Sequence, residues 1–105
     1  MPPTITKLFP TDCQPGEETI TPLLSGKQFS LEQIASYGQP SAEGFWYDQD
    51  TEEWVALIQG KATLVFEDGR LSLAAGDAVL IPPHTKHRVD QVSIEAVWIA
   101  LHFTS

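Results

Sequence analysis

Between Glu52 and His87 the chain reads EEWVALIQGKATLVFEDGRLSLAAGDAVLIPPHTKH. Apolar runs of strand length recur there, and each is stopped by a turn: QGK, EDGR, AAGD and PPHTK. None of them holds a helical period long enough to bury one helix face. Short strands with turns about every eight to twelve residues are the pattern of a sandwich or barrel. Asp68-Gly69 is a strong hairpin signal, and Leu71 and Leu73 alternate after it. In EEWVALIQG, an inward Glu53 carries Val55 and Leu57 inward with it, while Trp54, Ala56 and Ile58 face outward. Both faces of this strand are apolar, so both must be covered. The last run, SIEAVWIALHF, has the same character.

The expected fold is therefore all-β: a single-domain double-stranded β-helix, or jelly-roll barrel, over residues 27–105. Residues 1–26 carry five of the eight prolines and no sustained period, and predict an irregular arm. Within it, EETITPLL could make one helical turn. The arm would lie as a cover over the domain or over a partner subunit. In KQFSLEQIASYG a strand is predicted, where Phe29 and Leu31 alternate before Ile34 shifts the phase, a sign of a bulge or a change of face. GFWYD predicts a short aromatic strand.

Composition narrows the function. With 105 residues the chain is sized for one domain and one core. The formal charge is −8, and six Lys and Arg are spread without a basic stripe. Nucleic acid and anionic membrane surfaces are disfavoured partners, because both are bound through clustered cations. No apolar run reaches the ~20 residues of a membrane-spanning helix, and the N-terminus shows no secretory pattern. A cytoplasmic location is expected. Cys13 is the one cysteine; it permits no internal disulfide and has no activating neighbour in sequence. No Ser-His-Asp order, phosphate-cradling glycine loop or CxxC is present. Acids cluster at Glu43, Asp48, Asp50, Glu52 and Glu53, either as a solvated loop or as a source of cation ligands.

The run from Asp48 to Val89 resembles the cupin superfamily. Glu53, six residues and Gly60 are similar to the end of that family's first block; Gly76-Asp77, Pro82 and His87 are similar to its second. More narrowly, FWYDQ…EEWV…G, GD…IPPHTKHRV and a terminal WIALH resemble small bacterial single-domain members. The resemblance implies a jelly-roll barrel with a ligand site inside it. It also implies a site for a divalent ion (iron, manganese, nickel or zinc) held by three histidines and a glutamate. This chain departs from that set. The two family histidines before Glu53 fall on Trp46 and Asp48, the glycine of Pro-x-Gly is His84, and the closing asparagine is Gln91.

The candidate site follows. Glu53 and His87 are the leading pair, for metal binding or for acid–base catalysis. Glu53 would otherwise sit at the rim in a salt bridge to Arg88. Asp48 is a third candidate ligand or a loop acid. His102, in phase with Trp98 and Ala100, is a ligand if its face is the inner one. His84 is a ligand, a cap on the pocket mouth or a solvated turn residue. Trp46, Tyr47, Val55, Leu57 and Trp98 are the expected pocket walls. Three functions remain open: a metal-binding barrel, a metal-free module for a small organic ligand, and a metal-free acid–base enzyme such as a sugar epimerase or isomerase. A homodimer is predicted in each case, because the doubly apolar strands need a cover.

Overall fold

The computed structural model describes residues 2–9, 18–36 and 38–104; Cys13 lies outside them. Eight strands run in order: β1 (Thr19–Ser25), β2 (Phe29–Ala35), β3 (Glu52–Gln59), β4 (Lys61–Phe66), β5 (Gly69–Ala74), β6 (Ala78–Ile81), β7 (His87–Val92) and β8 (Val97–Phe103). All pair antiparallel. One sheet has the order β1-β2-β8-β3-β6, and a smaller one has the order β5-β4-β7. Among the described residues no helix is long and apolar enough to cross a membrane.

The two sheets bury their facing side chains against each other. Alternation along β3 sets this up: Glu53, Val55 and Leu57 are buried, whereas Trp54 on the other face is exposed. Leu57 is fully enclosed and packs in a core with Leu64, Leu73, Ile81, Trp98 and Ala100. Burying one such aliphatic side chain contributes roughly 1.5–3 kcal/mol, so this cluster carries much of the fold's stability.

Three local expectations are corrected. EETITPLL makes no helical turn; Thr19–Ser25 is instead an edge strand on β2, with a bulge between Pro22 and Leu24. Its β-branched Thr19, Ile20 and Thr21 suit a strand better than a helix. The aromatic strand at GFWYD shrinks to one isolated bridge, Tyr47 to His87. The phase shift in β2 is no bulge: its register with β8 runs unbroken from Phe29 to Ala35. Phe29 and Leu31 belong to the outer face and Ile34 to the inner one.

The outer face of the large sheet carries a continuous apolar ladder. Leu24 stands opposite Leu31, Leu31 opposite Leu101, Leu101 opposite Trp54 and Trp54 opposite Leu80. The row crosses all five strands, and Leu24, Trp54 and Leu80 are exposed. The Gln33 side-chain amide on this face donates to the Leu8 carbonyl of the arm, and residues 2–9 are exposed.

The β3–β4 turn depends on a glycine. Gly60 has φ +91°, and a Cβ there would meet the Ser93 hydroxyl and stand 2.9 Å from Ala96 Cα. Both the left-handed backbone and the close approach therefore exclude a side chain. Gly44 has φ +79° but open space around it. Gly60→Ala is expected to lower stability by about 1–3 kcal/mol, and Gly44→Ala by less. Urea unfolding of the two variants checks this; equal losses would show that the close approach contributes nothing.

Candidate functional site

A pocket of about 100 Å³ opens between the sheets at the end of the barrel where Glu53 lies. The register explains which side chains reach it. Directly opposed residues of antiparallel strands share a face, and Glu53 stands opposite His102 on one side and Ile81 on the other. Inward Glu53 therefore brings His102 inward too. In β2, Glu32 and Ile34 face the same space; from the small sheet come Leu64, His87 and Val89. The rest of the wall combines aliphatic side chains with Tyr47 and Trp98.

Four buried or half-buried polar groups run in a line across this wall. His87 Nε2 is 3.4 Å from Glu53 Oε1, and His102 Nε2 is 3.8 Å from Glu53 Oε2 and 3.1 Å from Glu32 Oε1. Glu53 and His87 are 8% and 5% exposed, so each needs a partner within the protein. The His87 ring is held on both sides, stacked on Tyr47 at 5.4 Å between centroids and tilted against Phe66 at 6.0 Å. Its Nδ1 lies 2.8 Å from the Thr85 carbonyl, which can only accept, so Nδ1 carries a proton. A hydrogen bond from Nε2 to Glu53 then requires a second proton, that is, the imidazolium. Burial alone lowers the His87 pKa, but the Glu53 and Thr85 contacts outweigh it and the net shift is upward. Tyr47 is also raised, by burial and then by the charges of Glu18 and Glu53.

Of the residues predicted for the site, Glu53, His87, His102, Tyr47, Val55 and Trp98 line the pocket. Leu57 lies beneath it in the core. Trp46, Asp48 and His84 do not line it. Trp46 stands outside, with the Arg88 guanidinium 6.0 Å from its ring centre. Asp48 and His84 pair with each other at 3.2 Å on the surface. Trp46 and Asp48 were candidates because the family's ligand spacing, counted back from Glu53, falls on them; the residues that face the pocket are their neighbours Tyr47 and Gln49. Reciprocal backbone bonds between Tyr47 and His87, and the His84 amide donating to the Gln49 carbonyl, set the segment so that Tyr47 and Gln49 face the pocket. His84 itself adopts φ 57°, the left-handed conformation for which its family counterpart is glycine. The alternative partner for Glu53 also fails, because Arg88 donates to the Ser41 carbonyl at 3.1 Å instead.

Sequence reasoning missed Glu32, Glu18 and Gln49. Glu32 had a visible signal: an acid in phase with Ile34 within the predicted strand. Glu18 and Gln49 had none, since each sits outside a regular strand.

Two imidazoles and two carboxylates have the right chemistry for a divalent ion. Their placement differs from a metal centre. Among the described residues no three His, Cys, Asp or Glu side chains form a group that could hold an ion. Each Nε2 already faces a carboxylate oxygen. The two pocket-facing positions before Glu53 are a phenol and an amide. The residues as placed do not fit a resident metal.

His87 has a testable signature. A folded-state pKa above the ordinary 6.5 adds stability at low pH that is lost as pH rises through the folded value. The stability deficit of His87→Gln relative to wild type should therefore be largest below pH 6.5 and shrink above it. An NMR titration should place the His87 imidazole above 6.5; a value at or below that overturns the assignment.

Comparison with known proteins agrees with this architecture. Residues 37–102 match the family model described as the cupin domain. A solved structure of a candidate mannose-6-phosphate isomerase from Ralstonia eutropha JMP134 is 36% identical, with a TM-score of 0.89, covering 98% of this chain and all of its own. A cupin superfamily protein from Desulfitobacterium hafniense DCB-2 is 12% identical with a TM-score of 0.78, over 97% of this chain and 100% of that one. KdgF from Halomonas sp. is 18% identical with a TM-score of 0.73, over 94% and 95% of the two chains. No curated protein matches. With the family model matching more than half of its length, the chain belongs to the cupin superfamily.

Proposed function

We propose that the barrel binds a small, non-phosphorylated organic molecule without a resident metal, and that His87 and Glu53 are its polar contacts. One observation carries this reading: the buried to half-buried His87–Glu53–His102–Glu32 line set among aliphatic and aromatic side chains. Apolar walls with a few convergent polar groups are the general form of a small-molecule site. The similar Ralstonia protein carries the name of a phosphosugar isomerase. A phosphate ester calls for Lys or Arg, and none lines this pocket. We therefore carry over no phosphorylated substrate.

Acid–base catalysis is the second reading, favoured by the position of His87. Its Nε2 faces Glu53 at 3.4 Å within the cavity, where a bound carbonyl or hydroxyl could exchange a proton with it. Fragment screening by NMR on chelator-treated protein tests the binding reading. Pocket resonances of Tyr47, His87 and Trp98 should shift with millimolar or tighter ligands, and Glu53→Gln should weaken them about tenfold. Shifts confined to other surfaces, or binding that needs an added metal, would sink it.

We propose further that a second copy of the chain covers the apolar ladder. At a strand spacing of about 4.8 Å, five strands present a face of roughly 500 Å² per copy, near the lower limit for a specific dimer. The row itself is uncharged in a protein of net charge −8, so two copies can meet there without opposing charges at the centre. Sedimentation should show a dimer at micromolar concentration, and Trp54→Glu should dissociate it. A wild-type monomer under those conditions contradicts the pairing.

A further inference from the structure

The charge of the pocket narrows its ligand further, on the premise that the pocket is the binding site proposed above. Three of its lining residues are carboxylates: Glu18 at the rim, Glu32 on β2 and Glu53 on β3. Against them, among the described residues, stand two imidazoles, His87 and His102, and no Lys or Arg. With the carboxylates ionised, two imidazolium ions at most leave one negative charge uncompensated, and neutral imidazoles leave three. The groups do not cancel one another in any protonation state of the histidines.

Aromatic faces accompany this charge. Tyr47 and Trp98 both line the cavity, and an aromatic face attracts a cation through its quadrupole. The remaining wall, from residues such as Ile20, Ile34 and Val89, suits alkyl carbon. We propose that the ligand is a small primary ammonium compound, its alkyl part against the aliphatic wall and its cationic head between Glu18, Glu32 and the Tyr47 ring.

Proton affinities agree with the geometry. The resolved shifts among the described residues fall on Glu18, Tyr47 and His87, and all three are upward. For Glu18 the causes are burial and then the Glu32 charge. For Tyr47, burial is followed by Glu18 and Glu53. Burial is the larger cause for Glu18 and Tyr47; the carboxylate charges come second, and they show that Glu18, Glu32, Glu53 and Tyr47 lie near enough to feel one another across the cavity. The cavity of about 100 Å³ limits the ligand to a few non-hydrogen atoms.

A matched series tests the assignment. Propylammonium, propanol and propionate are titrated into the wild-type protein with chelator present, and binding is read from the NMR shifts of the pocket residues. Propylammonium should bind about tenfold more tightly than propanol, weaken with added salt, and exclude propionate. Glu32→Gln should remove most of the preference. Glu18→Gln, at the exposed rim where folding is not at stake, should remove part of it. Propanol binding in the pocket as tightly as propylammonium, or propionate binding there at all, overturns the ammonium assignment and leaves the binding site standing. Absence of pocket shifts with all three overturns both.

Discussion

A carboxylate placed inside a small apolar barrel must be met by positive charge or by a proton. Glu53 is in that position, and much of the inner end of the barrel is arranged around it. Its place in β3 is dictated by the alternation that also buries Val55 and Leu57, so it cannot turn outward without inverting the core. The ladder then sets His102 opposite it, and the Tyr47–His87 bridge brings the second imidazole across from the other sheet. Desolvation of a charge costs several kcal/mol per ion even after relaxation. Here the carboxylate is flanked by two imidazoles on different elements, His87 at 3.4 Å and His102 at 3.8 Å, the latter bonded to Glu32. The site is in this sense a consequence of the fold's strand register.

The barrel was legible because strand periodicity is local, and its inner pair because Glu53 and His87 fall on the spacing of the family's two blocks. Glu53 and His87 begin regular strands, and each inherits its direction from neighbours on the same strand. The turn residues Gly60 and Gly76-Asp77 were equally legible. Asp77 accepts from the Ala74 amide at 2.8 Å within its own turn, which short-range spacing reveals.

The rest depended on pairings that no local pattern encodes. His102 could face either way until its partner across the ladder was known. Trp46 and Asp48 were candidates because the family's ligand spacing falls on them, and that spacing does not encode how the backbone of this non-strand segment is turned. Thr19–Ser25 hid in a proline-rich segment, because an edge strand tolerates Pro22 beside a bulge. Glu32 became a site residue only when β8 was placed between β2 and β3, which brought its carboxylate to His102.

The segment that carries Tyr47 and Gln49 is held mainly through its backbone. The Tyr47 amide and carbonyl pair with His87, and the Gln49 carbonyl receives the His84 amide. None of these bonds uses a side chain of the segment. Two pocket-facing residues can therefore change identity while the barrel keeps its shape. Strand positions such as Glu53 and Val55 lack that freedom, since each also belongs to the packed interior. Divergence of ligand preference among barrels of this type has an inexpensive route through this segment: the chemistry of one wall is separable from the stability of the whole.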